Sequence, residues 1–153
     1  MTLQQADLAD LADIHEIRRA AILGVSPGPL SPAMIHEWAD RRDPDHFAPR
    51  LTACEVLIAR TESGASVGWG SCADDKITGL YVRPNSGRRG VGCSLMKALE
   101  GRIAERGYSA ARLAASRNSV GFYEHLGYAT TKVHDEGTHS MIKDLPTSSL
   151  RAV

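Results

Sequence analysis

Apolar side chains recur along this chain with two different periods. Leu8, Leu11, Ala12, Ile14, His15, Arg18 and Ile22 recur at helical spacing, and Asp7 before them is a good N-cap. The spacing predicts a helix from Leu8 to about Leu23, preceded by a short strand within residues 1–6. The loop Gly24-Val-Ser-Pro-Gly-Pro-Leu30 ends that helix with two prolines and two glycines. Ser31-Pro32 then supplies an N-cap and a proline at the first helical position. The second helix carries Ile35, Trp38 and Ala39 inward and ends near Asp43-Pro44.

From Glu55 the period shortens. Glu55–Arg60, Ser66–Cys72 and Lys76–Val82 read as three strands, separated by turns at Thr61–Gly64 and Asp74-Asp75. They predict an antiparallel meander, stopped by Arg83-Pro84. The segment Asn85–Cys93 then opens a helix whose stripe is Val91, Leu95, Met96, Leu99, Ile103 and Ala104, with Gly107 at its C-terminus. A strand at Ala110–Ala115, a short helix from about Ser119 to Leu126 and a hairpin of Tyr128–His134 with His139–Lys143 complete the pattern. The order is mixed α+β, with one strand–helix–strand crossover in its centre.

Composition narrows the class. A chain of 153 residues with 42% apolar and 24% charged side chains is an ordinary globular domain, long enough to bury a core. Zero net charge excludes a protein that coats nucleic acid or an anionic membrane. That zero hides a split: residues 1–75 hold 12 acidic and 6 basic side chains, and residues 76–153 hold 6 acidic and 12 basic. A local anionic ligand on the basic half fits that split. Cys54, Cys72 and Cys93 are too scattered for a disulfide framework or a zinc site, and the six histidines make no metal spacing. Met1–Asp7 has no basic or apolar leader region, and no apolar run approaches the roughly 20 residues of a membrane span. A cytoplasmic protein without metal, nucleic-acid or membrane partners is the expectation.

The most informative segment runs from Leu80 to Leu99. A helix N-terminus presents unpaired N–H groups and partial positive charge, and glycines let an anion approach them. Gly87, Gly90 and Gly92 stand at this turn with Arg83, Arg88 and Arg89 around it, so the turn is a phosphate site. It is not a triphosphatase loop, because Cys93 replaces the required lysine. A dinucleotide fingerprint fails too, with Leu95 where a glycine belongs.

Two motifs in this order resemble the GNAT superfamily of acyl-CoA-dependent N-acetyltransferases. The first is Leu80-Tyr81-Val82-Arg83-Pro84 followed by Gly87-Arg88-Arg89-Gly90-Val91-Gly92; the second is Gly121-Phe122-Tyr123-Glu124-His125-Leu126-Gly127-Tyr128. The resemblance covers nearly the whole chain. It implies a central, mostly antiparallel twisted sheet of about seven strands flanked by about four helices. Residues 1–145 would form a single domain and residues 146–153 a flexible tail.

The resemblance also implies roles. Backbone groups of Leu80, Tyr81 and Val82 would pair with the pantetheine arm of acetyl-CoA. Amides of Arg88, Arg89, Gly90, Val91, Gly92 and Cys93 would hold its pyrophosphate. Tyr123 would be the general acid for the departing thiolate, and would also touch the cofactor. A tyrosine titrating at roughly 10 stays protonated at neutral pH, while a thiol titrates at roughly 8.5. A bulge near Gly79 would free a backbone N–H to polarise the thioester carbonyl. The family's first loop position, usually Arg or Gln, is Gly87 here, and its cofactor-contacting asparagine is replaced by Ser116. Asn118, two residues later, is a candidate for cofactor contact or for capping the next helix. Glutamates that serve relatives as general base fall near Lys76 and Ala111. Asp74, Asp75 and ordered water remain as base candidates, with Asp75 the catalytic assignment. An acetyl-cysteine route through Cys93 is imaginable, but the family mostly uses direct attack in a ternary complex.

The acceptor side would be built from the first two helices and the last hairpin, which offer His15, Arg18, His36, Trp38, Asp40, His134, Glu136 and His139. The acidic first half hints at a cationic amine. The leading expectation is acetylation of a primary amine of a small molecule. Protein or peptide N-acetylation and a non-catalytic acyl-CoA sensor are the alternatives, and a homodimer is common among relatives.

Overall fold

The computed structural model describes residues 1–24 and 31–146, and of Pro44, Gly87, Arg88 and Arg89 the backbone alone. The expected loop at 25–30, the tail from 147 onward and the side chains of Arg88 and Arg89 therefore lie outside the described residues. The strands are β1 (Thr2–Gln5), β2 (Glu55–Arg60), β3 (Ser66–Ala73), β4 (Lys76–Val82), β5 (Ala110–Ala115), β6 (Ala129–Val133) and β7 (His139–Asp144). The α-helices are α1 (Leu11–Leu23), α2 (Pro32–Asp40), α3 (Arg50–Ala53), α4 (Val91–Glu105) and α5 (Val120–His125). The strands form one mixed sheet in the order β1-β2-β3-β4-β5-β7-β6. Its pairs are antiparallel except β4–β5, which is parallel. The expected α+β architecture is thus present.

Local chemistry explains the element ends. Asp7 accepts from the Ala9 amide, and Asp10 reaches back to the Asp7 amide at 2.9 Å, a reciprocal cap. Its first turn, Leu8–Asp10, is a 3-10 turn, and Leu8 lies exposed rather than on the apolar stripe. Ser31 caps α2 by accepting from the Met34 amide, with Pro32 behind it. Two features went unread in the sequence. A 3-10 turn at Pro44–Phe47, capped by Asp43, and the one-turn helix α3 fill residues 44–53, making five α-helices among the described residues rather than four. Short polar segments broken by Pro44 and Pro49 carry no periodicity to read.

The apolar run Val56-Leu57-Ile58-Ala59 is buried throughout because both faces of the sheet are covered. Val56 and Ile58 join Ile14, Ile17, Phe47 and Trp69 on the α1 side. Leu57 and Ala59 join Val91, Leu95, Met96, Leu99 and Ile103 on the α4 side. Each fully buried side chain of that size stabilises by roughly 1.5–3 kcal/mol. Close approach of α4 to β3 requires a glycine: a Cβ on Gly70 would lie 2.8 Å from Leu99 Cδ1. Trp69 anchors the other face, donating from Nε1 to the Ile14 carbonyl at 2.9 Å.

Candidate active site

β4 and β5 touch at a single register pair, Lys76↔Arg112, reinforced by the Arg112 amide donating to the Asp75 carbonyl at 2.8 Å. Beyond that pair the two strands part. β4 remains bound to β3 through Leu80, Tyr81 and Val82, opposite Gly70, Trp69 and Gly68. Its other edge has no strand partner there. The gap is a cleft of about 730 Å³ lined by β4 from Lys76 to Val82, by Arg112, Leu113 and Ala114, and by Ser116, Asn118, Ser119 and Tyr123.

The expected bulge lies on β4, one residue earlier than Gly79. Ser71 pairs with Gly79 and Cys72 with Ile77, so Thr78 is the extra residue. Its hydroxyl meets Ser71 Oγ at 2.7 Å, and its carbonyl accepts from Arg50 Nη1 at 3.1 Å. Arg50 is itself held over the rings of Phe47 (5.7 Å) and Trp69 (6.0 Å).

At the end of β4, Arg83 leads into a 3-10 turn over Pro84–Arg89, and Gly90 follows with φ +74°. The first hydrogen bond of α4 runs from the Ser94 amide to the Gly90 carbonyl at 3.0 Å. The amides of Val91, Gly92 and Cys93 precede it, and no described side chain caps them. A Cβ on Gly90 would meet no described atom within 4 Å. Cys93 is exposed. Arg83 does not join this arrangement: its Nε donates to the Ser66 carbonyl (2.8 Å) and its Nη1 to Glu16 (3.0 Å).

Tyr123 is 8% exposed and lines the cleft. Its hydroxyl has no hydrogen-bond partner among the described residues. Burial, with the Tyr81 hydroxyl adding to it, pushes its pKa up to about 12. Its ring packs edge-on against Phe122 (5.1 Å) and Tyr128 (5.9 Å). Ser116 and Ser119 share a 3.0 Å hydroxyl contact. Asn118 is not the helix cap: Ser119 occupies that position, without a side-chain cap hydrogen bond.

Asp75 has its carboxylate on Arg112 Nε at 3.1 Å, and neither Asp74 nor Asp75 lines the cleft. Asp74 turns the hairpin with φ +53°. Among the described residues lining the cleft there is no carboxylate and no imidazole. Of the acceptor-side residues expected from sequence, Trp38 alone lines it. Arg18 is buried and donates to the Ala39 carbonyl, His15 contacts the Arg42 carbonyl, and Asp40 pairs with Arg19, which lowers the pKa of that carboxyl. His134 and His139 contact Ser140 and Thr130 within their own hairpin, and Glu136 accepts from Thr138. The first half's acidic groups largely hold the fold together, through Asp10–Arg60, Glu16–Arg83 and Glu55–Arg106, rather than forming an anionic pocket. The cleft instead gains Lys76 and Arg112, together with Thr131 and Ser140. A lone arginine in the otherwise small and apolar run Ala110–Ala115 was the available signal.

No helix among the described residues is long and apolar enough to cross a membrane, and none of their His, Cys, Asp and Glu side chains group in threes able to hold a metal.

Residues 28–146 match the family model described as an acetyltransferase (GNAT) domain. No curated protein matches the sequence. Among solved structures, a GCN5-related N-acetyltransferase from Rhodopseudomonas palustris is 30% identical over 94% of this chain and 95% of its own, with a TM-score of 0.85. The PaiA N-acetyltransferase from Thermoplasma acidophilum, in complex with coenzyme A, superposes with a TM-score of 0.81 at 20% identity, covering 94% of this chain and 98% of that one. An aminoglycoside 6'-acetyltransferase type Ii does so at 0.73 and 18%, covering 95% and 99%. The latter two speak to the fold.

Proposed function

The chain belongs to the GNAT acetyltransferase family, and on that premise we propose that residues 1–145 act as one catalytic domain that acetylates a primary amine of a small molecule in a ternary complex. Acetyl-CoA is the co-substrate and supplies the acetyl group as a thioester. The backbone from Arg88 to Cys93 binds its pyrophosphate, the free edge of Leu80, Tyr81 and Val82 aligns its pantetheine arm, and Ser116 and Asn118 add polar contacts.

A backbone N–H freed by the bulge polarises the thioester carbonyl. The neutral amine nitrogen forms a bond to the carbonyl carbon, the carbon–sulfur bond breaks, and Tyr123 gives its phenolic proton to the departing sulfur. With Asp75 held on Arg112 outside the cleft, the amine's proton leaves through water, which also reprotonates Tyr123. The observation that carries this reading is that the unpaired Tyr123 hydroxyl and the bulged segment at Thr78 line one cleft.

Thiol release from acetyl-CoA with small amines and an N-terminally free peptide tests it. Saturating acetyl-CoA should also raise the Tm. A cleft without carboxylate or imidazole favours one second reading, a non-catalytic acyl-CoA sensor. That protein would gain Tm and release no thiol with any acceptor.

A further inference from the structure

Lys76 and Arg112 form the vertex from which β4 and β5 part, and both line the cleft. Their neighbours Ile77, Ala111 and Leu113 are buried in the cluster around α4. Strand alternation therefore places Lys76 and Arg112 together on the opposite face of the sheet, toward α1 and α2. Ser140, paired with Ala114 across β5 and β7, brings a hydroxyl to the same cleft. Arg112 uses Nε on Asp75, and its two terminal nitrogens have no partner among the described residues. The Lys76 ammonium has none either.

We propose that the acceptor is an amine that also carries a carboxylate, and that Lys76 and Arg112 bind that carboxylate where β4 and β5 part. The inference rests on the acetyltransferase reading above and names its substrate class. Two cationic side chains and no carboxylate line the described cleft, and Asp75 outside it offsets only Arg112, so a polycationic acceptor would enter against the charge of Lys76. An acceptor carboxylate matches the two cations through charge-assisted hydrogen bonds.

The carboxylate held at Lys76 and Arg112 fixes the acceptor in the cleft. Its ammonium loses a proton to water, and the neutral nitrogen then attacks the thioester carbon.

The test is thiol release from acetyl-CoA with a panel of L-amino acids, their primary amides, spermidine and kanamycin, with rates compared per neutral amine. At least one amino acid should exceed its own amide by about tenfold or more in kcat/KM. Lys76→Met should bring that ratio close to one through a raised KM for the amino acid, and Lys76→Arg should restore it. Spermidine or kanamycin acetylated faster than every carboxylate-bearing amine overturns the inference, as does a ratio indifferent to Lys76→Met. Turnover of none of the panel, while acetyl-CoA still raises the Tm, also counts against it. Absence of any Tm response to acetyl-CoA overturns the acetyltransferase reading instead.

Discussion

Arg50 Nη1 donates to the carbonyl oxygen of Thr78 at 3.1 Å, and Thr78 is the residue bulged out of the β3–β4 ladder. The arginine comes from the one-turn helix α3 and is braced over Phe47 and Trp69. It therefore fixes the orientation of the peptide that faces the parted strands. Arg50→Met keeps much of the apolar stem and removes the hydrogen bond. We expect kcat to fall about tenfold, with stability lower by about 1 kcal/mol from the lost hydrogen bond and ring contacts. Steady-state kinetics beside urea unfolding separates the two effects. An unchanged kcat would remove Arg50 from any positioning role.

Tyr123 should matter through its proton. Tyr123→Phe removes the hydroxyl without opening a cavity, and kcat should fall about 10²-fold with little change in the KM for acetyl-CoA. Its pKa of about 12 keeps the phenol protonated through any physiological range. The pH–rate profile should therefore show no alkaline limb from Tyr123 below about pH 10. An alkaline limb that vanishes in the phenylalanine variant would contradict the high pKa.

Alkaline stability provides an independent reading of the same burial. The unfolded chain gives up tyrosine protons near roughly pH 10. The folded chain holds them longer, at Tyr123 to about 12 and at Tyr128 further still, through burial and through its hydrogen bond to Glu100. Folded pKa above unfolded pKa means that this contribution is whole below about pH 10 and is lost as pH rises through the folded values. For Tyr123 the loss by pH 12 is on the order of 2 kcal/mol.

Tyr128→Phe isolates the second tyrosine. Its hydroxyl donates to Glu100 Oε2 at 2.8 Å, while Lys143 Nζ meets Glu100 Oε1 at 3.0 Å. The variant should lose about 1–2 kcal/mol at neutral pH, because a half-buried carboxylate loses a donor. Its stability should then decline less steeply on the alkaline side than that of the parent chain. Urea titrations at neutral and alkaline pH check both signs, and parallel curves for the two proteins would refute the assignment.

Much of this was legible beforehand because strands and caps carry local signals. The boundaries of β2 and β4 followed from β-branched and apolar runs between turn residues, and Gly107 and Gly127 sit at φ +93° and +100° where helix ends were expected. The parting of β4 from β5 was not legible, because it depends on which pairings a parallel crossover leaves unmade. Lys76 and Arg112 were missed for the same reason: only the register between strands remote in sequence brings them together. The acidic first half, which hinted at a cationic amine acceptor, shows its carboxylates in ion pairs instead: Asp10, Glu16 and Asp40 are held by Arg60, Arg83 and Arg19, because a charge count does not see partners.

Gly90 and Gly92 should fail differently when given a methyl group. At Gly90 a Cβ meets no described atom within 4 Å, but φ is +74°, so Gly90→Ala costs about 1–2 kcal/mol of backbone strain. Relief of that strain would turn the uncapped amides of α4 away, so affinity for acetyl-CoA should fall along with the Tm. At Gly92 the backbone is ordinary helix, but a Cβ would stand 3.2 Å from Phe122 Cζ, and Phe122 adjoins Tyr123 on α5. Gly92→Ala therefore pushes on the short helix that presents the proposed acid. Its kcat should fall by more than its stability loss alone explains, while Gly90→Ala at saturating acetyl-CoA should keep most of its kcat. Paired measurement of Tm, acetyl-CoA Kd and kcat for both variants separates a binding turn from a turn that also sets the position of Tyr123, and the same response from both would mean that α4 and α5 are not coupled through Phe122.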